Sequence, residues 1–181
     1  MNCPRCTDAP LLPHRLEASL PCHRCRDCGG IWVLLGAYLN WLSRKGNGVR
    51  PDDPPARIEL GETSRALLCP STRHIMLRFR ICEEEPHWVD QSPAINGVWL
   101  DQGEWELLKQ KGLAGRLHEI FTEPWQARVR EVEARRSTET RYRSRFGEVP
   151  YARLSEFRRW LLGQKDRRLM LHFLGSDEPP P

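Results

Sequence analysis

The sequence predicts an α+β protein in three pieces: a small β unit closed by a metal, a second unit of similar layout without the metal, and a C-terminal basic helical hairpin. Three observations carry this prediction. Two Cys-x-x-Cys pairs stand at Cys3–Cys6 and Cys25–Cys28, and landmarks around them recur about one unit later in the chain. Beyond residue 113, apolar residues fall at helical spacing within an excess of arginine.

Composition favours small lobes over one large core. The 181 residues include 15 prolines and 13 glycines, only 39% are hydrophobic, and the mean hydropathy is −0.61. A lobe of about 60 residues buries too little apolar surface to be comfortably stable and usually needs a staple. The cysteines can supply one.

A thiolate pair two residues apart wraps a tight turn so that both sulfurs face one ion. Cys3, Cys6, Cys25 and Cys28 would together fill the tetrahedral shell that Zn²⁺ prefers, which predicts one structural zinc. Gly29 and Gly30 suit a turn with positive φ whose N–H groups point at the sulfurs. The rival reading is a dithiol redox pair, with Arg5 and Arg26 depressing the thiol pKa values. By spacing alone Cys22 could replace Cys28, or His23 could take part.

Seven cysteines and a start of Met1-Asn2-Cys3-Pro4, with no apolar export segment before the first pair, disfavour a secreted disulfide framework and predict a cytoplasmic setting. The most apolar run, Ile31 to Leu42, is short of the ~20 residues a membrane span needs and contains Asn40. It reads as a buried helix or a strand running into a helix, with Leu35, Leu39 and Leu42 at helical spacing beside Tyr38 and Trp41. Leu11 to Leu20 is compatible with two short strands. The first unit is placed at 1–45 and a Gly/Pro/Asp/Arg-rich linker at 46–66.

The second unit is placed at 67–112. Cys69-Pro70 answers Cys3-Pro4, and Asn96-Gly97-Val98-Trp99-Leu100 answers Gly29-Gly30-Ile31-Trp32-Val33. Thr72, Ser92 and Ile95 stand where Cys6, Cys25 and Cys28 stood, so the metal chemistry is gone. Strands are expected around Ile75 to Ile81 and His87 to Val89, then a helix announced by Asp101-x-x-Glu104. Without zinc the unit must be held by Trp88, Trp99 and Trp105 packing on the first unit, or by helical neighbours. Cys69, His74, Cys82 and His87 are the only other candidate ligands there, without close pairing, and Glu83-Glu84-Glu85 reads as a solvated turn.

The helical region is placed at 113–175, with a tail at 176–181. Leu113, Leu117, Ile120 and Phe121 form one apolar face, Thr122-Glu123-Pro124 marks a restart, and Trp125, Val129 and Val132 continue a narrow stripe. A turn is expected over Gly147 to Pro150. Leu154, Phe157, Leu161 and Leu162 form a second helix, and Leu169 to Leu174 a short apolar end piece.

The net charge of +4 hides an asymmetry: residues 116–168 carry 14 Lys/Arg against 8 Asp/Glu, and all but one of the 14 are arginine. Glu131 with Arg135 and Glu139 with Arg143 are helical ion pairs at i,i+4. Arg135, Arg136, Arg141, Arg143 and Arg145 are the candidate contacts to nucleic acid or a protein partner, because guanidinium forks suit phosphate and carboxylate.

The first unit, and more loosely the second, resembles the bacterial transcription-factor-IIB-type zinc-ribbon family. That pattern is Cys-Pro-x-Cys, then Cys-x-x-Cys-Gly-Gly-x-Trp-Leu-Asp and a Gly-Glu-Leu helix. Cys3, Pro4, Cys6, Cys25, Cys28, Gly29, Gly30, Ile31 and Trp32 match it. A degenerate second copy keeps Cys69, Pro70, Gly97, Trp99, Leu100, Asp101, Gly103 and Glu104. Val33-Leu34 stands where the pattern has Leu-Asp. The resemblance favours Cys25 and Cys28 as ligands over Cys22, and implies a structural zinc in a small β ribbon used for docking.

No Gly-rich phosphate loop, nucleophile elbow or paired-carboxylate motif occurs, so no enzyme activity and no small-molecule substrate are expected. The expected role is an adaptor that docks on nucleic acid or a nucleic-acid-bound, transcription-type complex. The alternative is a protein interaction or assembly module, possible as an oligomer and without a membrane partner.

Overall fold

The computed structural model describes all residues except 18, 46–57, 59, 62, 63, 84–86 and 177–181. The expected linker over 46–66, the Glu83-Glu84-Glu85 turn and the tail at 176–181 lie largely outside the described residues. Two compact units divide the chain, Met1–Glu131 and Val132–Pro181. The first takes in both ribbon-like segments and the start of the helical region.

In chain order the first unit has β1 (Leu11–Leu16), β2 (Leu20–Cys25), β3 (Ile31–Leu34), α1 (Leu35–Lys45), β4 (Leu77–Arg80), β5 (Trp88–Ser92), β6 (Gly97–Leu100), α2 (Glu104–Gln110) and α3 (Leu117–Ile120). The strands form one antiparallel sheet in the order β1-β2-β3-β6-β5-β4. The two ribbon segments therefore join edge to edge, with Trp32 opposite Trp99 and Val33 opposite Val98 across the β3–β6 seam.

Strand alternation sends successive side chains to opposite faces. Ile31, Val33, Val98 and Leu100 face a large core completed by Tyr38 and Trp41 of α1, Trp105 and Leu108 of α2, and Leu117 and Ile120 of α3. Trp32 and Trp99 face the other way, into a smaller cluster with Cys3, Leu11, Cys25, Leu67, Cys69 and Met76. The sheet is thus covered by helices on one face and by the cysteine turns on the other.

In α1 the buried positions are Tyr38 and Trp41, while Leu35 and Leu42 are half-buried and Leu39 faces solvent. The large rings claim the core because Trp41 meets Trp105 edge to face, with centroids 6.0 Å apart. Tyr38 also ties α1 to the chain before α3: its hydroxyl donates to the Ala114 carbonyl at 2.9 Å and accepts from the Leu117 N–H at 3.2 Å.

The second segment is held both by its tryptophans and by helical neighbours. Trp105 Nε1 donates to Glu17 at 3.0 Å, and Lys109 pairs with the same carboxylate at 3.1 Å, so α2 is pinned to the β1–β2 hairpin. Trp88 plays a different part: it is half-exposed, with Arg78 and Arg80 over its ring. Helix α4 (Glu123–Phe146) opens with Pro124 in its first turn, and its buried Trp125 and Gln126 donate to the carbonyls of Ile81 and Arg80 at 3.1 and 2.9 Å. Leu113, Ala114, Leu117, Ile120, Trp125 and Val129 therefore belong to the core of the first unit.

In the second unit, Gly147 alone, at φ +83°, separates α4 from α5 (Glu148–Leu162), where a longer turn over Gly147 to Pro150 was expected. The packed helical pair here is α5 with α6 (Arg167–Gly175). The expected apolar stripe lies on α5, but only Leu161 of it is buried, and α6 buries none of its residues.

Candidate metal centre

Two tight turns bring the four thiols together. Cys3 opens the first: its carbonyl accepts from the Thr7 N–H at 2.9 Å, its sulfur accepts from the Cys6 N–H at 3.3 Å, and Thr7 takes φ +65° to close the loop. In the second, Gly29 at φ +69° donates to the Cys25 carbonyl at 3.1 Å, and Cys25 donates to Gly30 at 2.9 Å. The positive φ is the conformational need that the glycine meets.

The ligand atoms of Cys3, Cys6, Cys25 and Cys28 all lie within 4.8 Å of one another. Cys3 and Cys28 sulfurs are 3.6 Å apart, and those of Cys6 and Cys25 4.0 Å. Zinc–thiolate bonds of about 2.3 Å at tetrahedral angles require sulfur separations of about 3.8 Å, so the donor set fits Zn²⁺. Cys3 and Cys25 are buried, and Cys6 and Cys28 half-exposed. Four thiolates close the shell and leave no position for a reacting water.

Burial pushes the Cys3 thiol up to about 11 despite N–H groups of Cys6 and Arg5, and raises Cys28 further. Burial also acts to raise Cys25, but N–H groups of Cys28 and Asp27 outweigh it and hold that thiol below its usual value. The lowering therefore comes from backbone donors and from the neighbouring thiols of Cys28 and Cys3. The Arg5 guanidinium, expected to act on the thiols, lies 3.8 Å from Asp101 of the second ribbon-like segment.

Cys22 is not a ligand here. It is buried in the main core, and burial raises its thiol. His23 also lies outside the thiol group, which is the only set of metal-ligating side chains brought together among the described residues. Cys69 sits in the smaller core cluster and Cys82 in the larger, apart from one another.

Residues 2–44 match the family model described as transcription factor zinc-finger. Residues 2–44 are a zinc ribbon. Its four cysteines are placed to bind one metal ion, consistent with structural Zn²⁺. Neither a curated protein nor a solved structure matches the chain.

Two contacts around the ribbon were not foreseen in the sequence. Gly30 is pressed against Trp99, where an added Cβ would lie 2.2 Å from the ring, so this glycine serves packing. Its signal was the repeated Gly-x-Trp. Asp101, expected as a helix start, accepts from Trp99 Nε1 at 2.9 Å, and its own N–H donates to Glu104 at 2.7 Å, while the residue that caps α2 is Gly103, with no side-chain bond. The five candidate arginines, Arg135, Arg136, Arg141, Arg143 and Arg145, are all exposed on α4. Arg143 is engaged there with Glu139 at 2.9 Å and Glu148 at 2.6 Å.

Proposed function

We propose that this chain is a non-enzymatic zinc-ribbon adaptor of the cytoplasm that docks on nucleic acid or on a complex assembled on nucleic acid. The supporting observation is the exposure of Arg135, Arg136, Arg141, Arg143 and Arg145 on one continuous helix of the chain that carries the ribbon. The ion pairs of Arg143 are no obstacle, because exposed pairs are worth little and phosphate can displace a carboxylate. Among the described residues no helix is long and apolar enough to cross a membrane.

The segment 67–112 reads as a ribbon copy that has lost its metal. Cys69 keeps the Cys3 turn: its sulfur accepts from the Thr72 N–H at 3.4 Å and its carbonyl from Arg73 at 2.9 Å, with Arg73 at φ +63° matching Thr7. Asn96 at φ +50° stands for Gly29. Its use is architectural, extending the ribbon's sheet.

The test is binding of the zinc-loaded chain to short DNA and RNA across a salt series, beside a variant with the five arginines replaced by Ala. Each phosphate contact should contribute about 0.9 to the slope of log K against log salt. Steep salt dependence that the variant loses supports the reading. No binding at low salt refutes it and leaves the second reading, a protein assembly module, which the exposed apolar side chains of α5 and α6 favour.

A further inference from the structure

Helices α5 and α6 enclose a groove of about 730 Å³ walled by Phe157, Trp160, Leu169, Met170, Phe173 and Leu174. Trp160 is 51% exposed, Leu169 68% and Phe173 63%. Isolated helices shorter than about 12 residues are marginal in water, and α6 has 9. It gains little from its own unit, since it buries no residue fully. A patch this apolar and concave marks an interaction site.

Charge decides what fills it. In the sequence Arg158 and Arg159 stand between Phe157 and Trp160, Arg153 lies one turn before Phe157, and Lys165, Arg167 and Arg168 lead into Leu169; all six are exposed. Against them, residues 149–176 carry only Glu156 and Asp166 as acids. A second copy would bring the same positive excess against itself. A bilayer surface covers protruding apolar side chains and does not fill a groove between two helices. A partner helix does both: apolar anchors at i, i+3, i+4 and i+7 enter the groove, and acidic residues elsewhere on it meet the excess of positive charge that α5, α6 and their connection carry.

We infer that the α5–α6 groove receives an acidic amphipathic helix of a partner protein. The inference gives the protein-assembly reading a surface and a partner chemistry, and it does not depend on the arginines of α4.

The experiment uses the full zinc-loaded chain and a fluorescein-labelled peptide of about 18 residues, long enough for several helical turns, with Leu and Phe at helical spacing and Glu elsewhere. Two control peptides have the same residues scrambled, or Lys for every Glu. Fluorescence anisotropy should give micromolar binding for the acidic helix and at least tenfold weaker binding for both controls. F173A and W160A, at exposed positions, should weaken binding at least tenfold with zinc content and circular dichroism unchanged, while the α4 arginine variant binds the peptide normally. The peptide controls keep the test valid whatever the variants do to folding. Equal binding of acidic and scrambled peptides overturns the inference. So does a dimer in sedimentation that F173A dissociates, or phosphatidylserine-vesicle binding that F173A abolishes without selective peptide binding.

Discussion

The indole of Trp32 lies directly over Gly97, so closely that a Cβ on Gly97 would sit 2.1 Å from the ring. Trp99 does the same to Gly30, at 2.2 Å. Trp32 and Trp99 face each other across an antiparallel pair, and each reaches the diagonal neighbour two residues before the other. Each ribbon segment thus leaves out a side chain to admit the other's tryptophan.

Gly97→Ala and Gly30→Ala should therefore each destabilise the zinc-loaded protein by about 1–3 kcal/mol or more, the usual range for overpacking a filled site. Thermal unfolding reads this as a fall in Tm of several degrees. Gly36→Ala is the control: it stands in α1 with nothing within 4 Å of its new Cβ, and should stabilise by about 0.5–1 kcal/mol.

Removing zinc should unfold more than residues 2–44, because β3 is hydrogen-bonded to β6. Chelator titration followed by far-ultraviolet circular dichroism should show loss of strand signal from both segments in one transition. Cys28→Ser should abolish stoichiometric zinc, whereas Cys69→Ser should leave one zinc per chain. Loss of the ribbon alone, with β4–β6 intact, would contradict the coupling.

Asp90 and Glu104 give a pH dependence of definite sign. Burial pushes Asp90 up to about 6, against the pull of Arg78 at 3.7 Å and with a further push from Asp101; burial, with Asp101 and Asp90 nearby, raises Glu104 well above its usual value. A carboxyl whose folded pKa lies above its unfolded value holds its proton more tightly when folded. For Asp90 the protein then loses stability as pH rises from about 4 to 6, by roughly 2–3 kcal/mol in all. Asp90→Asn should remove that loss and be more stable than the parent at pH 7. Urea midpoints of parent and variant, compared at each pH, isolate the effect from acid release of zinc, which both share.

Glu17 anchors α2 through Trp105 and Lys109. Burial acts to raise its carboxyl, but these two donors outweigh it and hold it below the usual value. Glu17→Ala should cost about 1–3 kcal/mol by leaving the buried Trp105 N–H without an acceptor, and Glu17→Gln less, because an amide oxygen can still accept. Denaturant unfolding of the two variants checks the order.

How much of this was legible depended on the range of each interaction. The thiol geometry was readable because Cys-x-x-Cys is a local device, and the Asp101-x-x-Glu104 start signal was local too. Gly30 was read as serving the metal turn, since the ring that needs its hydrogen comes from Trp99 on another strand. In α1 helical spacing named Leu35, Leu39 and Leu42, but the core is shared with Trp105 and favours Tyr38 and Trp41. Buried Asp90 carried no pattern at all. The stripe on α5 was correct as helix, yet periodicity says nothing of whether a face has a neighbour, and most of it faces water.

The seam between β3 and β6 also decides where the sheet can adhere. A lone ribbon would offer the free edge of β3 as a template for another chain's strand; here that edge is spent on β6. Among the described strands the open borders are β1, which carries Pro13 with no N–H to give, and β4, four residues long with Arg78 and Arg80. Strand addition by a partner, or by misassembling copies, is thereby discouraged at both borders, which leaves docking to side chains and helices.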